Sequence, residues 1–380
     1  MQLRLSVAAA AVISAIASQA EDYVSVQFLQ YDENNNRTSV SAPSIMVNKD
    51  FGTDYTLNIS GVADAVSGAS PTYYDSASGA SAFSRGIGVN ASDVKYGNIE
   101  YSDQRLAGSL LFTMRFANRD ELIIGANYSA ENDFYSTEGS AEYMHWLDSS
   151  KNRSISLGLS YQANEILVEC VENSACDSSS GASEAMTADV INAQVSFFQN
   201  IDAQSYAKAS LFYVSESGFL SNPYLNVVRN NNGVTADVVA EARPDSKQAY
   251  GLALKYANAL SSNISLHLAY RYYSDDWEIN SHTLDTDLYY EAGSKWLFKI
   301  GLRGYTQSEA SFYNGSDAYF TNEQYVSSDE RLSAFNAVTY KINVEYQMTE
   351  DLRFNLGANY YDQSTGLSAT YFMTGFTYNF

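Results

Sequence analysis

Any chemistry in this 380-residue chain has to come from few groups: three histidines, His145, His267 and His282, and two cysteines, Cys170 and Cys176. The histidines fall on different predicted strands. The sequence holds no HExxH, CxxC, Walker-type phosphate loop or GxSxG elbow, and no Ser-His-Asp set can be assembled from it. The expectation is therefore no catalytic residue, no metal and no cofactor, hence a protein that is not an enzyme. The cysteines are separated by Val-Glu-Asn-Ser-Ala. In an exported chain such a close pair is expected to form a disulfide closing a small loop. A metal pair is the weaker reading, because no histidine lies nearby to complete a site. Glu165, Glu169, Glu172, Asp177 and Glu184 around them are hard oxygen donors of the kind Ca²⁺ takes. Their spacing matches no known calcium loop, so a solvated acidic face is preferred.

More informative are charges that recur at every second position of alternating stretches, because in a strand that spacing sends them all to one face. In 295–306, Trp296, Phe298, Ile300 and Leu302 form an apolar face, which sends Lys295, Lys299 and Arg303 to the other. In 263–273, Ile264, Leu266, Leu268, Tyr270 and Tyr272 oppose His267 and Arg271. The same parity places Lys255, Lys341 and Arg353 opposite apolar neighbours. On earlier stretches Asp54, Asp64, Glu121, Glu138 and Glu142 take the equivalent face. If the apolar faces meet lipid, these residues line a lumen with a basic ladder (Lys255, Arg271, Lys299, Arg303, Lys341, Arg353) facing an acidic wall. That arrangement sets a transverse field that orients polar solutes, and the ladder would set ion selectivity. The alternative is that the charges pair with one another and fill a closed, non-conducting barrel.

The elements needed to hold such faces are transmembrane strands. Tyr (31) and Phe (18) are abundant, Pro (4) is scarce, and a hydrophobic fraction of 45% coexists with a mean hydropathy of -0.26. This suits strands that are apolar on one face, with aromatics at two membrane interfaces. Met1 to Ala20 carries Arg4, an apolar run from Leu5 to Ile16 and Ser18-Gln19-Ala20, and is expected to be a signal peptide cleaved after Ala20. Residues 21–380 are then one all-β, antiparallel outer-membrane barrel. Seven short polar turns, with both termini on the periplasmic side, imply about sixteen strands, with 14 to 18 as the range. Long outer loops are expected near 65–104, 164–188, 216–246 and 307–331. Val94 to Tyr101 alternates like a strand but makes the count odd, so it is assigned to the second outer loop. The net charge of -22 argues against nucleic-acid partners.

The closing stretch Ser368 to Phe380 puts Phe372, Phe376, Tyr378 and Phe380 on one face and ends in an aromatic residue. Phe376, Tyr378 and Phe380 resemble the signal by which outer-membrane barrels engage their assembly machinery and lipid. The small-residue stretch Asp64 to Pro71, continuing to Arg85, is expected to be a compact loop that either braces the rim or folds inward as a plug or ligand loop, through Asp64, Ser67, Ser70 and Arg85. The start EDYVSVQFLQYDENNNR, the DFGTDYTLN turn, DAVSGASP and the closing strand together resemble a family of uncharacterised proteobacterial exported proteins, a domain of unknown function. The resemblance implies an outer-membrane barrel and supplies no activity or site residue. Its members are sometimes encoded beside exported thioredoxin-like and flavin-attachment proteins, which implies a redox-linked partner.

The expected function is porin-like passage of small polar solutes or ions across the outer membrane of a Gram-negative bacterium. The alternative is a non-conducting scaffold that holds a surface or periplasmic partner, in which case loop 65–104 should pack through the pore and the ladder should be neutralised. Porin trimers are common at this strand count, so a homo-oligomer is admitted, although no strand is marked as subunit-facing.

Overall fold

The computed structural model describes residues 22–77, 85–169, 183–315 and 323–380. The signal-peptide expectation and the Cys170–Cys176 pair lie outside them. In chain order the strands are β1 (Tyr23–Glu33), β2 (Thr38–Phe51), β3 (Tyr55–Asp75), β4 (Gly86–Asn90), β5 (Val94–Arg115), β6 (Glu121–Ala130), β7 (Phe134–Trp146), β8 (Arg153–Glu169), β9 (Ser183–Asn200) and β10 (Ser205–Gly218). They continue with β11 (Asn226–Arg229), β12 (Thr235–Ala240), β13 (Ser246–Ser261), β14 (Ile264–Asp275), β15 (Asn280–Ala292), β16 (Trp296–Gln307), β17 (Phe335–Gln347), β18 (Leu352–Gln363) and β19 (Ser368–Asn379).

All but β4, β11 and β12 close into an antiparallel barrel of sixteen strands, β1-β19-β18-β17-β16-β15-β14-β13-β10-β9-β8-β7-β6-β5-β3-β2. The ring closes where β1 pairs with β19, from Tyr23 opposite Asn379 to Glu33 opposite Ala369. Closure follows from the alternation: strands apolar on the outside must satisfy every backbone group laterally, and only a ring leaves no open edge. The outward set is exposed, as in Phe372, Phe376 and Tyr378 on β19, Phe380 just after it, and Trp296, Ile300 and Leu302 on β16. Short turns join β2 to β3, β5 to β6, β7 to β8, β9 to β10, β13 to β14, β15 to β16 and β17 to β18 at the end that carries both termini. Gly52 and Gly293 take left-handed φ values of 66° and 67° in two of these turns.

Three expectations are corrected at the other end. DAVSGASP is not a loop but the middle of β3, which pairs with β5 without interruption from Tyr55 opposite Met114 to Asp75 opposite Val94. Val94–Tyr101 is the start of β5 rather than a separate element, and that restores the even count. Gly68 is needed because an added Cβ would overlap the Arg37 carbonyl oxygen and lie 2.7 Å from Thr38 Cα, a close backbone approach rather than a turn. β2 ends its pairing at Gly68, so Pro71 sits on a free strand edge, where a missing N–H costs no ladder bond.

The third correction concerns the plug. It is built from the connections around β4, β11 and β12, which form a separate three-stranded antiparallel sheet in the order β11-β12-β4. Val227, Val228, Val238, Ala236, Val326 and Tyr73 are buried around this sheet. A second apolar cluster joins Ile166 and Val168 of β8 and Ala188 of β9 to Leu220, Trp277, Phe312 and Leu332 of the outer connections. The best-buried apolar side chains therefore lie in this cap, because the barrel interior is polar and its exterior faces outward.

Candidate functional site

The cap closes over the outer mouth. Asn226 of β11 donates from its Nδ2 to the Tyr73 carbonyl at 2.8 Å and from its backbone N–H to Thr72 Oγ1 at 2.7 Å. β3 and β10, from which these segments spring, are separated around the ring by β5, β6, β7, β8 and β9, so the contact spans the opening. Arg85 reaches into the same centre, donating from Nε to Asn226 Oδ1 at 2.7 Å and from its terminal nitrogen to the Pro223 carbonyl at 2.8 Å. Burial lowers its pKa to about 10. Of the four residues expected to plug or bind, only Arg85 belongs to the cap. Asp64 turns into the barrel and accepts from Arg105 Nε at 2.6 Å, Ser67 is exposed on β3, and the Ser70 side chain lies outside the description. Among the described residues, 65–75 and 94–104 are hairpin strands and do not thread the lumen.

Ion pairs hold the cap together and fasten it to the wall. Arg243 meets Glu241 at 2.6 Å and Asp329 at 2.7 Å, and both carboxylates are buried. Burial alone would raise the Asp329 carboxyl, but the guanidinium groups of Arg331 and Arg243 outweigh it and hold the group well below the usual carboxylate range. The neighbouring Glu330 accepts from Arg37, at the tip between β1 and β2, at 2.9 Å, and from the Tyr96 hydroxyl at 3.3 Å. Gln307 Nε2 donates to the Ser333 carbonyl at 2.7 Å. The cap is thus tied to the rim by polar contacts of side chains from β1–β2, β5 and β16, and by the apolar cluster on β8 and β9.

Beneath the cap, two cavities lie in the lumen among the described residues. The outer one has a volume of about 690 Å³ and is bounded by Gln27, Asn127, Gln162, Asn192, Arg271 and Tyr273, with Leu220 of the cap above. The other, about 510 Å³, is lined by Lys299, Glu345 and Arg353 and reaches Tyr23 and Thr377 at the end carrying the termini. Ser25, Gln27 and Met46 line both, so the two adjoin.

Parity places the basic ladder as the alternation requires, with Lys255, Arg271, Lys299, Arg303, Lys341 and Arg353 on the face opposite the exposed apolar residues. It is not a bare ladder. Asp285 and Asp287 of β15 stand between its rungs: Lys299 meets Asp287 at 3.1 Å, Arg303 meets Asp285 at 2.8 Å, and Lys341 meets both, at 2.9 and 2.8 Å. Arg353 pairs with Glu345 at 3.4 Å. Arg271 lies over the Phe212 ring at 4.8 Å, and Lys255 faces Lys208 across the β10–β13 ladder. Four of the six rungs therefore meet three carboxylates, which is part of the neutralisation that the scaffold alternative expects. Lys295 belongs to the turn before β16 and is exposed. On the facing wall Glu121 pairs with Arg115 at 3.3 Å, Glu138 accepts from Asn127 at 2.9 Å, and Glu142 lies beside Gly158. Asp54 is corrected: it is exposed in the turn before β3, beyond the lumen.

Asp285 and Asp287 were legible by the same parity, since Leu284 and Leu288 alternate with them, as were Lys208, Arg105 and Arg115. Which acid meets which base depends on register between strands, and no single strand carries that information. At the outer rim, Asp103, Glu131 and Asp133 bring one carboxylate oxygen each within 4.8 Å of one another. His145 sits at the opposite end, with Nδ1 2.8 Å from Asp120, and His267 packs against the Tyr289 ring at 4.7 Å. His282 faces outward beside the Tyr270 hydroxyl at 2.7 Å, so the structure brings no two histidines together.

The family model described as Protein of unknown function (DUF3570) matches residues 2–378. The chain belongs to this family. No curated protein matches the sequence of this family member. Among solved structures, a bacterial polysaccharide outer membrane secretin superposes with a TM-score of 0.50 at 7% identity, over 96% of this chain and 99% of that one. The CymD monoaromatic hydrocarbon channel gives 0.43 at 9% identity, over 96% and 89%. The ferric enterobactin receptor PfeA from Pseudomonas aeruginosa gives 0.45 at 12% identity, and the chain spans 54% of the receptor's length. At these identities the likeness is one of fold: the DUF3570 chain is a closed barrel of the outer-membrane type.

Proposed function

We propose that the protein is a capped passage for small polar solutes or ions, exported by residues 1–20 and seated in the outer membrane. Its termini would face the periplasm, and Phe376, Tyr378 and Phe380 would serve as its assembly signal. No catalytic step, metal or cofactor is assigned to it. The observation that carries this reading is the pair of adjoining cavities, which runs from beneath the cap to the end that holds the termini. A lumen that served only as a packed scaffold would be expected to fill that volume with side chains. The cap closes the outer end; its polar fastenings to the rim are contacts that water can replace at modest cost, while its apolar contacts with β8 and β9 hold that side in place.

A second reading is a non-conducting barrel that holds a surface or periplasmic protein, including a redox partner. It is favoured by the pairing of Lys299, Arg303 and Lys341 with Asp285 and Asp287. Planar-bilayer recordings of the refolded barrel separate the two. The passage reading expects ion currents whose selectivity moves toward cations in the Lys299→Glu, Arg303→Glu double variant, because reversal leaves four carboxylates on one stretch of wall. Absence of current under all conditions would support the second reading.

A further inference from the structure

Four lumen-facing tyrosines repeat one arrangement. Tyr31 donates its hydroxyl proton to Glu33 at 2.6 Å, Tyr273 to Asp275 at 2.8 Å, Tyr305 to Gln307 at 2.7 Å and Tyr361 to Gln363 at 2.6 Å. In each case the acceptor is two residues further along the same strand and on the same face. Residues i and i+2 lie roughly 6.6 Å apart along a strand, about the reach of a tyrosine side chain. A hydroxyl that finds its partner there lays the ring along the wall and turns one face to the lumen. Tyr371 of β19 joins the row with its centroid 5.0 Å from that of Tyr31. The intervening strands contribute small side chains at this level, Thr339 opposite Tyr361 and Thr283 opposite Tyr305. All five are half-buried.

The opposite wall is built from carboxamides and hydroxyls. Asn127 donates to Glu138 at 2.9 Å, Gln162 to Ser136 at 3.0 Å, and Asn192 to Ser160 at 3.0 Å. Each amide has two donors and a carbonyl with two lone pairs, and these bonds use only part of that capacity. Around the cavity Arg105 is paired with Asp64 and Lys247 with Glu216, so a charged solute would have to displace an existing partner at these positions. A purely apolar solute would leave the amide wall desolvated and unsatisfied.

We propose, resting on the passage reading, that the outer half of the lumen binds a neutral polyhydroxylated solute, a short oligosaccharide, between Tyr273 of the tyrosine row and the carboxamide wall. The C–H faces of a pyranose match the ring faces in the way apolar surface matches aromatic surface, and its hydroxyls match the amides. The cavity of about 690 Å³, bounded by Tyr273 on one side and by Asn127, Gln162 and Asn192 on the other, is in the range that holds a small ligand.

Calorimetric titration of the refolded full-length barrel in detergent with maltotriose tests this, with benzoate and a short polyethylene glycol as comparison solutes. Saturable binding of maltotriose, and none of the other two, is expected. Tyr273→Leu should weaken it by about tenfold or more, while Tyr273→Phe, which keeps the ring but loses the hydroxyl bond that orients it, should weaken it less. If Tyr273→Leu does not refold, Asn192→Leu on the other wall should still weaken binding several-fold. No saturable binding, equal binding of benzoate, or affinity indifferent to both Tyr273→Leu and Asn192→Leu would overturn the proposal. The titration requires no conductance: a barrel that binds maltotriose but passes no current overturns only the passage reading, and one that conducts without binding overturns only this one.

Discussion

Glu131 illustrates how much a single side chain depends on neighbours the sequence keeps distant. It lies in the short connection between β6 and β7, beside Asp133 and across from Asp103 of β5. Burial first, and then the negative charge of Asp103, push its carboxyl up to about 7. The folded rim therefore holds a proton that the unfolded chain, with an ordinary carboxyl, gives up at lower pH. Between these two values the native state binds more protons than the unfolded one, so stability falls as pH rises from the usual carboxylate range toward 7. Hydrogen exchange of the β6–β7 tip should show more protection at pH 5 than at pH 8, and Glu131→Gln should flatten that difference. The same limit governs the lumen. Parity assigned the faces of Lys299, Arg303 and Lys341 correctly from sequence, because period two is a local property. That Arg303 stands directly opposite Asp285 is a fact about two strands, and the alternation of neither reveals it.

At the level of elements, the barrel strands of β13 to β19 were legible nearly to their ends, since each is an uninterrupted alternation between polar turns. The β3–β5 hairpin was not. Its outer half is rich in Gly, Ala and Ser and contains Pro71, a composition that ordinarily marks a turn. Here Gly68 is small because the β1–β2 tip crosses over it, and Pro71 is tolerated because β2 has already left the edge. Gly68→Val should force that tip away from β3 and cost about 1–3 kcal/mol, the usual range for overpacking. The refolded variant should lose its compact, heat-modifiable gel mobility at a lower temperature than the parent. Unchanged thermal behaviour would mean that the crossing does not constrain the hairpin. Arg37, which carries the fastening to Glu330, lies next to this crossing, so the hairpin also sets where the cap is held.

For the whole molecule, parity of the short turns carried the strand number, and an aromatic closing strand on β19 carried the architecture. The cap was outside the reach of such reasoning. Its three strands are short, its apolar residues are dispersed among Asn, Gly and Asp, and its core draws on Ile166, Leu220, Trp277 and Phe312, which meet only because the barrel brings its loops to one end. The sequence therefore showed a lumen and its lining but not that the lumen is roofed, and the functional account turns on the roof. The direct test is to fasten the roof reversibly. In a chain with Cys170 and Cys176 replaced by serine, Arg37→Cys and Glu330→Cys place one thiol on the rim and one on the cap, to be joined by a short bis-methanethiosulfonate bridge. Single-channel recording before bridging, after it, and after cleavage by a reductant should give current, silence and current again. Equal currents in the bridged and cleaved barrel, or no current in any of the three, would contradict a capped passage.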